Sequence, residues 1–354
     1  MTRFDLAARG VLALFLVGWA VAFQATAAGE TTFRFGGRLT MSPFSPAAPP
    51  EAAVLVDVVN RELIGDDFEV YRGESGAVRV AVVEPGDTLE LGDTVPPGVQ
   101  LEFVAPRDTL DPAPASRGEP PAQPGAWRIL LRRGRAVRHL ADFNILTMVP
   151  ASTLQGGRIG DYLIGRWPAR GERPARFRTA HYDAPSGLIR VDEDEIDLQV
   201  SEHFRLGDFL TKGQAGVWPK YVVMSPRLLD KLELTIQQLE RDGHAVGRVG
   251  VISGFRTPQY NAHGGSTAGR GSFSRHMYGD AMDWFVDNDG NGSMDDLNGD
   301  GAVDVEDARV IVGAAERVEA RYPHLVGGIG LYRPSPGAHA GFVHIDTRGY
   351  RARW

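Results

Sequence analysis

Residues 274–286 read Ser-Arg-His-Met-Tyr-Gly-Asp-Ala-Met-Asp-Trp-Phe-Val, and residues 341–346 read Gly-Phe-Val-His-Ile-Asp. In each stretch a glycine precedes a short run crowded with apolar residues, a pattern typical of a buried β-strand. Successive side chains of a strand point to opposite faces of its sheet. If the two strands are neighbours, Asp283 and His344 can therefore point into one cleft.

A third polar side chain belongs to the same arrangement. His276 precedes the first strand by a turn that contains Gly279, and this turn can fold the imidazole back toward the cleft. Two imidazoles and one carboxylate are the ligand set of a zinc ion that keeps one coordination position open for water. A single His is more often structural than a ligand, so the prediction of zinc bound by His276, Asp283 and His344 depends on the combination.

These residues resemble a known family. The pattern Ser-x-His-x-x-Gly-x-Ala-x-Asp at 274–283 and the late Phe-Val-His-x-Asp at 342–346 are similar to those of zinc-dependent peptidoglycan peptidases of the D-Ala-D-Ala carboxypeptidase and murein endopeptidase type. Upstream, residues 253–258 read Ser-Gly-Phe-Arg-Thr-Pro, and Asn261 follows. This segment resembles the family's Ser-Gly-Tyr-Arg-Ser-Pro-x-x-Asn, with Phe in place of Tyr. The resemblance covers residues 204–354.

The resemblance implies a fold, a substrate class and roles for particular residues. It implies an α+β domain with a small antiparallel sheet flanked by helices, acting on peptidoglycan stem peptides or cross-links. It gives Arg256 a place near the scissile carbonyl, where a fixed guanidinium would stabilise an oxyanion; the alternative is an ordinary surface arginine. Asp346 shares a strand face with His344 and either fixes the tautomer of an imidazole or is a solvated carboxylate at the strand end.

One position departs from the family pattern. Many members carry a Glu three residues before the last His, where it acts as the general base, and here that position is Gly341. The nearest candidate base is His339, in a loop rich in Gly, Ala and Pro, although a loop His is usually only solvated. Some relatives also lack the Glu. Gly341 keeps open a non-catalytic binding module with structural metals, of the kind found in hedgehog signalling domains, which are similar in fold.

A calcium signal follows the first of these strands. Residues 296–307 place oxygen ligands at loop positions 1, 3, 5, 9 and 12 and a glycine at position 6, which is the pattern of an EF-hand loop. Position 12 is Asp rather than Glu, so the loop resembles that of dockerin modules. The predicted calcium ligands of this loop are Asp296, Asn298, Asp300, Asp304 and Asp307.

An overlapping frame begins earlier in the chain. Asp287, Asp289 and Asn291 open like a second calcium loop, but the two frames share residues and cannot both form complete sites, so these three are predicted to form a partial one. Residues 287–307 carry seven Asp, one Glu and no Lys or Arg, a local charge of −8 in a chain whose net charge is −7. So dense a cluster repels itself without a cation, although a solvated acidic turn remains the alternative.

The beginning of the sequence indicates export. Two arginines precede an apolar run at residues 11–23, and small residues follow at 25–27, which is the layout of a secretory signal. The run is short for a membrane span, so residues 1–28 are predicted to be a signal peptide, with an uncleaved membrane anchor as the alternative. The chain has no Cys, so zinc must take nitrogen and oxygen ligands. We therefore expect a periplasmic or extracellular location.

The remaining pattern divides the chain and places its main helices. Ser225 and Pro226 start an amphipathic helix that Gly243 stops, a second helix is expected at about Val305 to Arg321, and a strand at 249–252 leads into the Arg256 loop. Nucleic acid is not expected as a partner, because the acidic chain has no basic stripe. The predicted division is a β-rich domain at 30–107, a Pro-rich linker at 108–124, a β-rich segment at 125–203, and the zinc peptidase-like domain at 204–354 with its calcium insertion at 287–307.

Overall fold

The computed structural model describes residues 36–40, 53–58, 68–70, 73–85, 100–104, 113–114, 121–334 except 266, 268 and 269, and 341–354. Within them the protein is a mixed α/β structure with several small sheets and few helices, in agreement with the α+β class predicted from the sequence. The predicted signal peptide at 1–28 and the candidate base His339 lie outside the described residues. Among the described helices, none has both the length and the apolar character needed to cross a membrane.

The described strands before residue 223 form four small sheets. Their orders are β1-β2-β3, β4-β8-β7-β5-β6, β13-β12-β9 and β10-β11. The strands are β1 (Gly36–Thr40), β2 (Ala53–Val58), β3 (Phe68–Val70), β4 (Val80–Val83), β5 (Gln100–Val104), β6 (Ala113–Pro114), β7 (Gly125–Arg133), β8 (Ala136–Thr147), β9 (Val149–Pro150), β10 (Arg158–Ile159), β11 (Tyr162–Leu163), β12 (Gly187–Val191) and β13 (Lys220–Val222).

A further sheet carries the candidate metal ligands. Its five strands lie in the order β14-β15-β17-β16-β18, with antiparallel neighbours except for the parallel pair β16 and β18. The bounds of β15 and β17 agree with the two strands expected from the alternating pattern. The strands are β14 (Val249–Ser253), β15 (Ala281–Val286), β16 (Gly328–Tyr332), β17 (Phe342–Asp346) and β18 (Ala352–Arg353).

Three α-helices accompany this sheet in the described residues: α1 (Pro226–Arg241), α2 (Pro258–His263) and α3 (Val305–Arg321). Helix α1 begins after Ser225 with a proline in its first turn, and Gly243 follows its end with φ of +94°, a left-handed conformation that favours glycine. Helices α1 and α3 pack against each other, and α3 packs on β16 and β17. The apolar face of α1 is buried, as its periodicity predicts, through Leu228, Leu229, Leu232, Ile236 and Leu239.

One cluster of buried apolar residues extends from β4, β7 and β8 through α1 to the sheet that carries the candidate metal ligands. Polar contacts reinforce this packing: the buried carboxylate of Asp230 on α1 accepts backbone N–H groups from Glu74 and Ser75 at 3.0 and 2.8 Å. The described parts of regions that the sequence divides into separate domains thus share one hydrophobic core. The sheet that carries the candidate metal ligands packs against this core.

Candidate metal centre

Asp283 and His344 lie directly opposite each other on the adjacent strands β15 and β17. Their side chains therefore leave the same face of the sheet. The Nδ1 atom of His344 lies 2.8 Å from Oδ1 of Asp283, and the Nε2 atom of His276 lies 3.1 Å from the same oxygen. One ligand atom from each of the three side chains lies within 4.8 Å of the other two, and all three residues are buried.

His276 reaches this face from a short 3-10 turn at Arg275–Tyr278. Gly279 ends the turn with φ of +71°, and a Cβ atom at this position would lie 2.3 Å from the carbonyl oxygen of Val223. Only glycine fits such a place, because both the backbone conformation and the close approach exclude a side chain. The turn is fixed further by a buried ion pair between Arg275 and Asp280, at 2.6 Å.

Both imidazoles are oriented by contacts on the side away from the cleft. Nδ1 of His276 donates to the carbonyl of Gly254 at 2.6 Å, which leaves Nε2 as the nitrogen that faces Asp283 and His344. Nε2 of His344 lies 3.0 Å from Oδ2 of Asp346, which leaves Nδ1 facing Asp283. A partner on the outer nitrogen is the usual support of a metal-binding His. Asp346 is fully buried and also pairs with Arg348, so the structure places it behind His344 and not in solvent.

Arg256 also lies in the cleft. Its Nη2 atom donates to Oδ2 of Asp283 at 2.6 Å, and its Nε donates to Oγ of Ser253 at 2.7 Å. Ser253 follows an irregularity in the pairing of β14 with β15, between Val251 and Ser253, which sets where the Arg256 loop leaves the sheet. The Arg256 side chain is 14% exposed, so Arg256 is not an ordinary surface arginine. Burial lowers its pKa, but an arginine remains cationic at neutral pH.

The pKa values of the three side chains reflect their mutual contacts. Burial lowers the pKa of His276. Burial also acts to lower the pKa of His344, but its hydrogen bonds to Asp283 and Asp346 overcome that effect and raise the pKa to about 9. Burial opposes ionisation of Asp283, yet its contacts with His276 and His344 hold the pKa of this carboxyl well below its usual range. The cluster thus favours an anionic carboxylate and stabilises positive charge beside it.

These observations fit zinc. The donor set is two imidazole nitrogens and one carboxylate oxygen, the outer nitrogens already have partners, and positive charge is favoured where the three atoms meet. The residues that would hold the ion come from the turn before β15, from β15 and from β17. Sequence periodicity predicts the two strands, and the structure adds the register that places Asp283 opposite His344.

An aromatic wall beside His344 was missed at the level of sequence. The ring centroid of Trp354 lies 5.1 Å from that of His344, and its indole Nε1 donates to the hydroxyl of Tyr332 at 2.7 Å. Tyr332 stacks on Phe342 at 4.4 Å. Burial raises the pKa of Tyr332, so its phenol stays protonated at neutral pH. Part of this aromatic cluster could have been predicted, because alternation along β16 and β17 places Tyr332, Phe342 and His344 on one face of the sheet.

The acidic loop at 287–307 has a different character. Carboxylate oxygens of Asp287, Asp289 and Asp295 lie within 4.8 Å of one another, and Asp295 is not among the ligands predicted from the sequence. Asn291 donates from its side chain to Asp289 at 2.8 Å. The first frame, expected to form only a partial site, therefore gathers three carboxylates in the structure.

In the second frame the predicted ligands mainly contact the loop's own backbone. Asp296 accepts N–H groups from Gly299 and Gly301, and the buried Asp307 accepts those of Leu297 and Asn298. No trio of carboxylates from this frame meets at the distance seen in the first, as far as the described residues go. The remaining predicted ligands make the same kind of contact: Asn298 accepts from Asp300, Asp300 from Ala302, and Asp304 from Glu306.

The chain was compared with known proteins in three ways. No protein-family model matches it. Searches of curated proteins and of solved structures also gave no significant match.

Proposed function

We propose that this protein is a zinc-dependent peptidase that hydrolyses the stem peptides or cross-links of peptidoglycan. The observation that carries the proposal is the convergence of His276 Nε2, Asp283 Oδ1 and His344 Nδ1 on one buried point, with each outer imidazole nitrogen held by another acceptor. Such a set leaves a coordination position for water, which is the arrangement of catalytic rather than structural zinc sites.

Zinc bound by these side chains would polarise a scissile carbonyl and lower the pKa of a water molecule. The protein's own contribution is to keep the ligands in place before substrate arrives. Gly254 and Asp346 hold the two imidazoles in the tautomers that present the required nitrogen. The sheet register holds the Asp283 carboxylate against His344, so little reorganisation accompanies metal binding.

Arg256 is proposed to stabilise the negative charge that develops on the scissile carbonyl oxygen or on a substrate carboxylate. Its buried position supports this role, because a fixed cation acts more strongly in a cleft from which water is excluded. Its contact with Asp283 adds a positioning role, since the guanidinium holds the carboxylate oxygen that does not face His344. His339 remains our proposed general base.

The substrate class rests on the resemblance at residues 253–261, 274–283 and 342–346. An exported location, proposed from the pattern of residues 1–28, suits an enzyme of the cell wall. Calcium is proposed to bind in the acidic loop at 287–307, which continues directly from β15. Ordering of the loop would then stabilise the end of the strand that presents Asp283.

A non-catalytic module that binds cell-wall peptides or protein is the second candidate. It is favoured by Gly341, which stands where many members of the family that the sequence resembles carry the catalytic Glu. A Cβ atom at this position would lie 3.3 Å from Cε of Met294 and 3.4 Å from the ring of Pro334. Little room is therefore left for a larger side chain without local adjustment.

Purified protein incubated with cross-linked muropeptides and with monomeric pentapeptide stems tests the proposal, with products identified by mass spectrometry. We expect cleavage that stops when a chelator removes zinc and returns when zinc is added. A protein that binds zinc but cleaves neither substrate would overturn the peptidase proposal and support the binding module. The variant His344→Ala serves as the inactive reference.

A further inference from the structure

The sheet that carries the candidate metal ligands presents a further polar group on the same face. Gly330 on β16 lies directly opposite His344, and Tyr332 stands two residues further along the same strand. Side chains two positions apart on a strand share a face, as do directly paired residues. Tyr332 therefore leaves the face that carries His344. The strand order β14-β15-β17-β16 puts it on the side of the ligands away from the Arg256 loop.

The indole of Trp354 occupies the place beside His344 that a side chain at position 330 would take. A Cβ atom on Gly330 would lie 2.5 Å from the indole, so the indole covers Gly330 on the ligand face. The backbone also holds Trp354 there, since its carbonyl accepts the N–H of Leu331 at 2.9 Å. Because Trp354 is 49% exposed, its indole forms a solvent-accessible wall of the cleft.

This indole determines how the hydroxyl of Tyr332 is oriented. An indole N–H can only donate, so the phenol oxygen is the acceptor in its 2.7 Å contact with Nε1 of Trp354. The O–H of Tyr332 then points elsewhere, and the described residues offer it no acceptor. The contact itself is exposed to solvent. Tyr332 is therefore an oriented hydrogen-bond donor that a bound molecule can reach.

The charged groups of the candidate centre act on this phenol. Burial raises the pKa of Tyr332, the negative charge of Asp283 adds to this rise, and the positive charge of Arg256 opposes it. The phenol therefore keeps its proton at neutral pH and can donate a hydrogen bond without giving the proton up. A fixed donor of this kind is most effective toward an oxygen atom on which negative charge develops during a reaction.

We propose that Tyr332 is a further catalytic residue, whose O–H donates a hydrogen bond to the scissile carbonyl oxygen as negative charge develops on it. This inference rests on the proposed peptidase function. The phenol transfers no proton, and none of its bonds forms or breaks. Trp354 is a positioning residue, because it acts through the oxygen atom of Tyr332. Tyr332 and Arg256 then approach the substrate from opposite sides of the metal ligands.

The variant Tyr332→Phe tests this role, because it removes the hydroxyl and keeps the ring that stacks on Phe342. A group that acts mainly in the transition state changes kcat rather than KM. We therefore expect kcat for muropeptide cleavage to fall about a hundredfold, the typical effect of losing one donor to an oxyanion. KM and zinc affinity should stay at their native values.

Binding of a phosphinate peptide by zinc-loaded protein, measured by calorimetry, gives a readout that needs no turnover. Its tetrahedral phosphorus carries a negative oxygen like that of the transition state. The probe is the phosphinate analogue of D-alanyl-D-alanine where monomeric stems are cleaved, or of the cross-linking peptide bond where cross-links are cleaved. Tyr332→Phe should bind it about tenfold more weakly. Trp354→Phe should weaken binding less, because it keeps the phenol and loses only the N–H that orients it.

Tyr322→Phe is the matched control, because it loses the same hydroxyl at the end of α3, where Tyr322 packs against Leu234, Val318 and Leu325. It should match the native chain, and circular dichroism checks the fold of each variant. The role of Tyr332 is overturned if Tyr332→Phe keeps the native kcat and phosphinate affinity. It is also overturned if zinc affinity falls in parallel, since the hydroxyl would then support the structure of the centre.

In both of these cases the native chain still cleaves muropeptides, so the peptidase proposal stands. Failure of that proposal is seen separately, as zinc-loaded native protein that cleaves no muropeptide, and it removes the role of Tyr332 as well.

Discussion

The candidate metal centre and the acidic loop at 287–307 both concentrate metal-binding side chains, but they are built in opposite ways. In the centre, His276, Asp283 and His344 come from distant parts of the chain, are buried, and are held by contacts with other buried groups. In the loop most acidic side chains are exposed and accept N–H groups from neighbours a few residues away.

This difference indicates how each region depends on its ion. The centre is shaped by sheet register and by the packing behind it, so we expect its geometry to persist when the metal is removed. The loop carries eight negative charges without a Lys or Arg of its own, and local hydrogen bonds do not remove their repulsion. We therefore expect zinc to confer chemistry on a site that is already formed, and calcium to confer stability on a loop that needs a cation.

The largest expected effect comes from removing a ligand of the centre. His344→Ala should lower zinc affinity by at least about a hundredfold, because loss of a ligand should exceed the 10–100-fold effect of losing a supporting partner. Hydrolysis of muropeptides should fall below detection. His324→Ala is the control, since His324 is a half-exposed histidine away from the cleft. Native zinc affinity in His344→Ala, measured by competition with a chromogenic chelator, would show that the convergence is not a metal site.

A smaller effect should follow from changing the group behind His344. Asp346→Asn should weaken zinc binding about 10- to 100-fold, because a neutral amide supports the imidazole less well than a carboxylate does. Asp242→Asn, at a surface carboxylate paired with Arg317, should leave zinc affinity unchanged. If Asp346→Asn binds zinc like the native chain, the sheet alone would be sufficient to orient His344.

The effect of calcium on the free energy of unfolding tests whether the acidic loop at 287–307 needs a cation. At a hundred times its dissociation constant, calcium should raise the free energy of unfolding by about 2.7 kcal/mol, visible as a higher melting temperature. We expect Asp289→Asn to reduce this gain more than Asp300→Asn, because Asp289 belongs to the trio of converging carboxylates. The reverse ranking would favour the second frame at 296–307, and an unchanged melting temperature in calcium would remove the loop from consideration as a site.

The smallest expected effect concerns a buried polar contact outside both metal-binding regions, the contact of His203 with Glu233. Nδ1 of His203 lies 2.8 Å from the buried carboxylate of Glu233 on α1. Burial lowers the pKa of His203, but the hydrogen bond and charge of Glu233 overcome this and raise it above its ordinary value. The stability that it contributes is therefore fully present below the ordinary pKa of about 6.5 and is lost as pH rises through the raised value.

Urea denaturation of the native chain and of His203→Gln at pH 6 and pH 9 measures this contribution. The native chain should lose about 1 kcal/mol more than the variant between the two pH values, a typical contribution of one such hydrogen bond. His203→Gln retains the backbone N–H of residue 203 that donates to Glu233, so the comparison isolates the imidazole. Parallel losses in the two proteins would mean that His203 does not titrate in this range.

Local patterns predict what depends on neighbours in sequence. Alternation predicts β15 and β17, and capping residues predict α1 and α3 close to their observed bounds. The position of Arg256 in the cleft follows from its place after β14. The loop spacing at 296–307 is also visible in sequence, although the structure brings other carboxylates together.

Contacts between distant residues were not predictable in this way. The register that places Asp283 against His344 depends on the packing of the whole sheet. The pairing of Trp354 with Tyr332 joins two segments whose separation along the chain carries no periodic signal. Asp295 stands at position 9 of the frame that opens at Asp287, and it was missed because only the first three ligand positions of that frame were expected to form a partial site; the structure brings it to Asp287 and Asp289.

Gly279 is not one of the predicted zinc ligands, yet it fixes the path of the chain between His276 and Asp283. Its left-handed backbone and the nearby Val223 carbonyl leave no space for a methyl group. A saturation-mutagenesis map scored by growth or activity should therefore show this position to be as intolerant as the ligands. Mutational sensitivity alone would suggest that Gly279 takes part in metal binding or catalysis, whereas its role is to shape the backbone turn between His276 and Asp283.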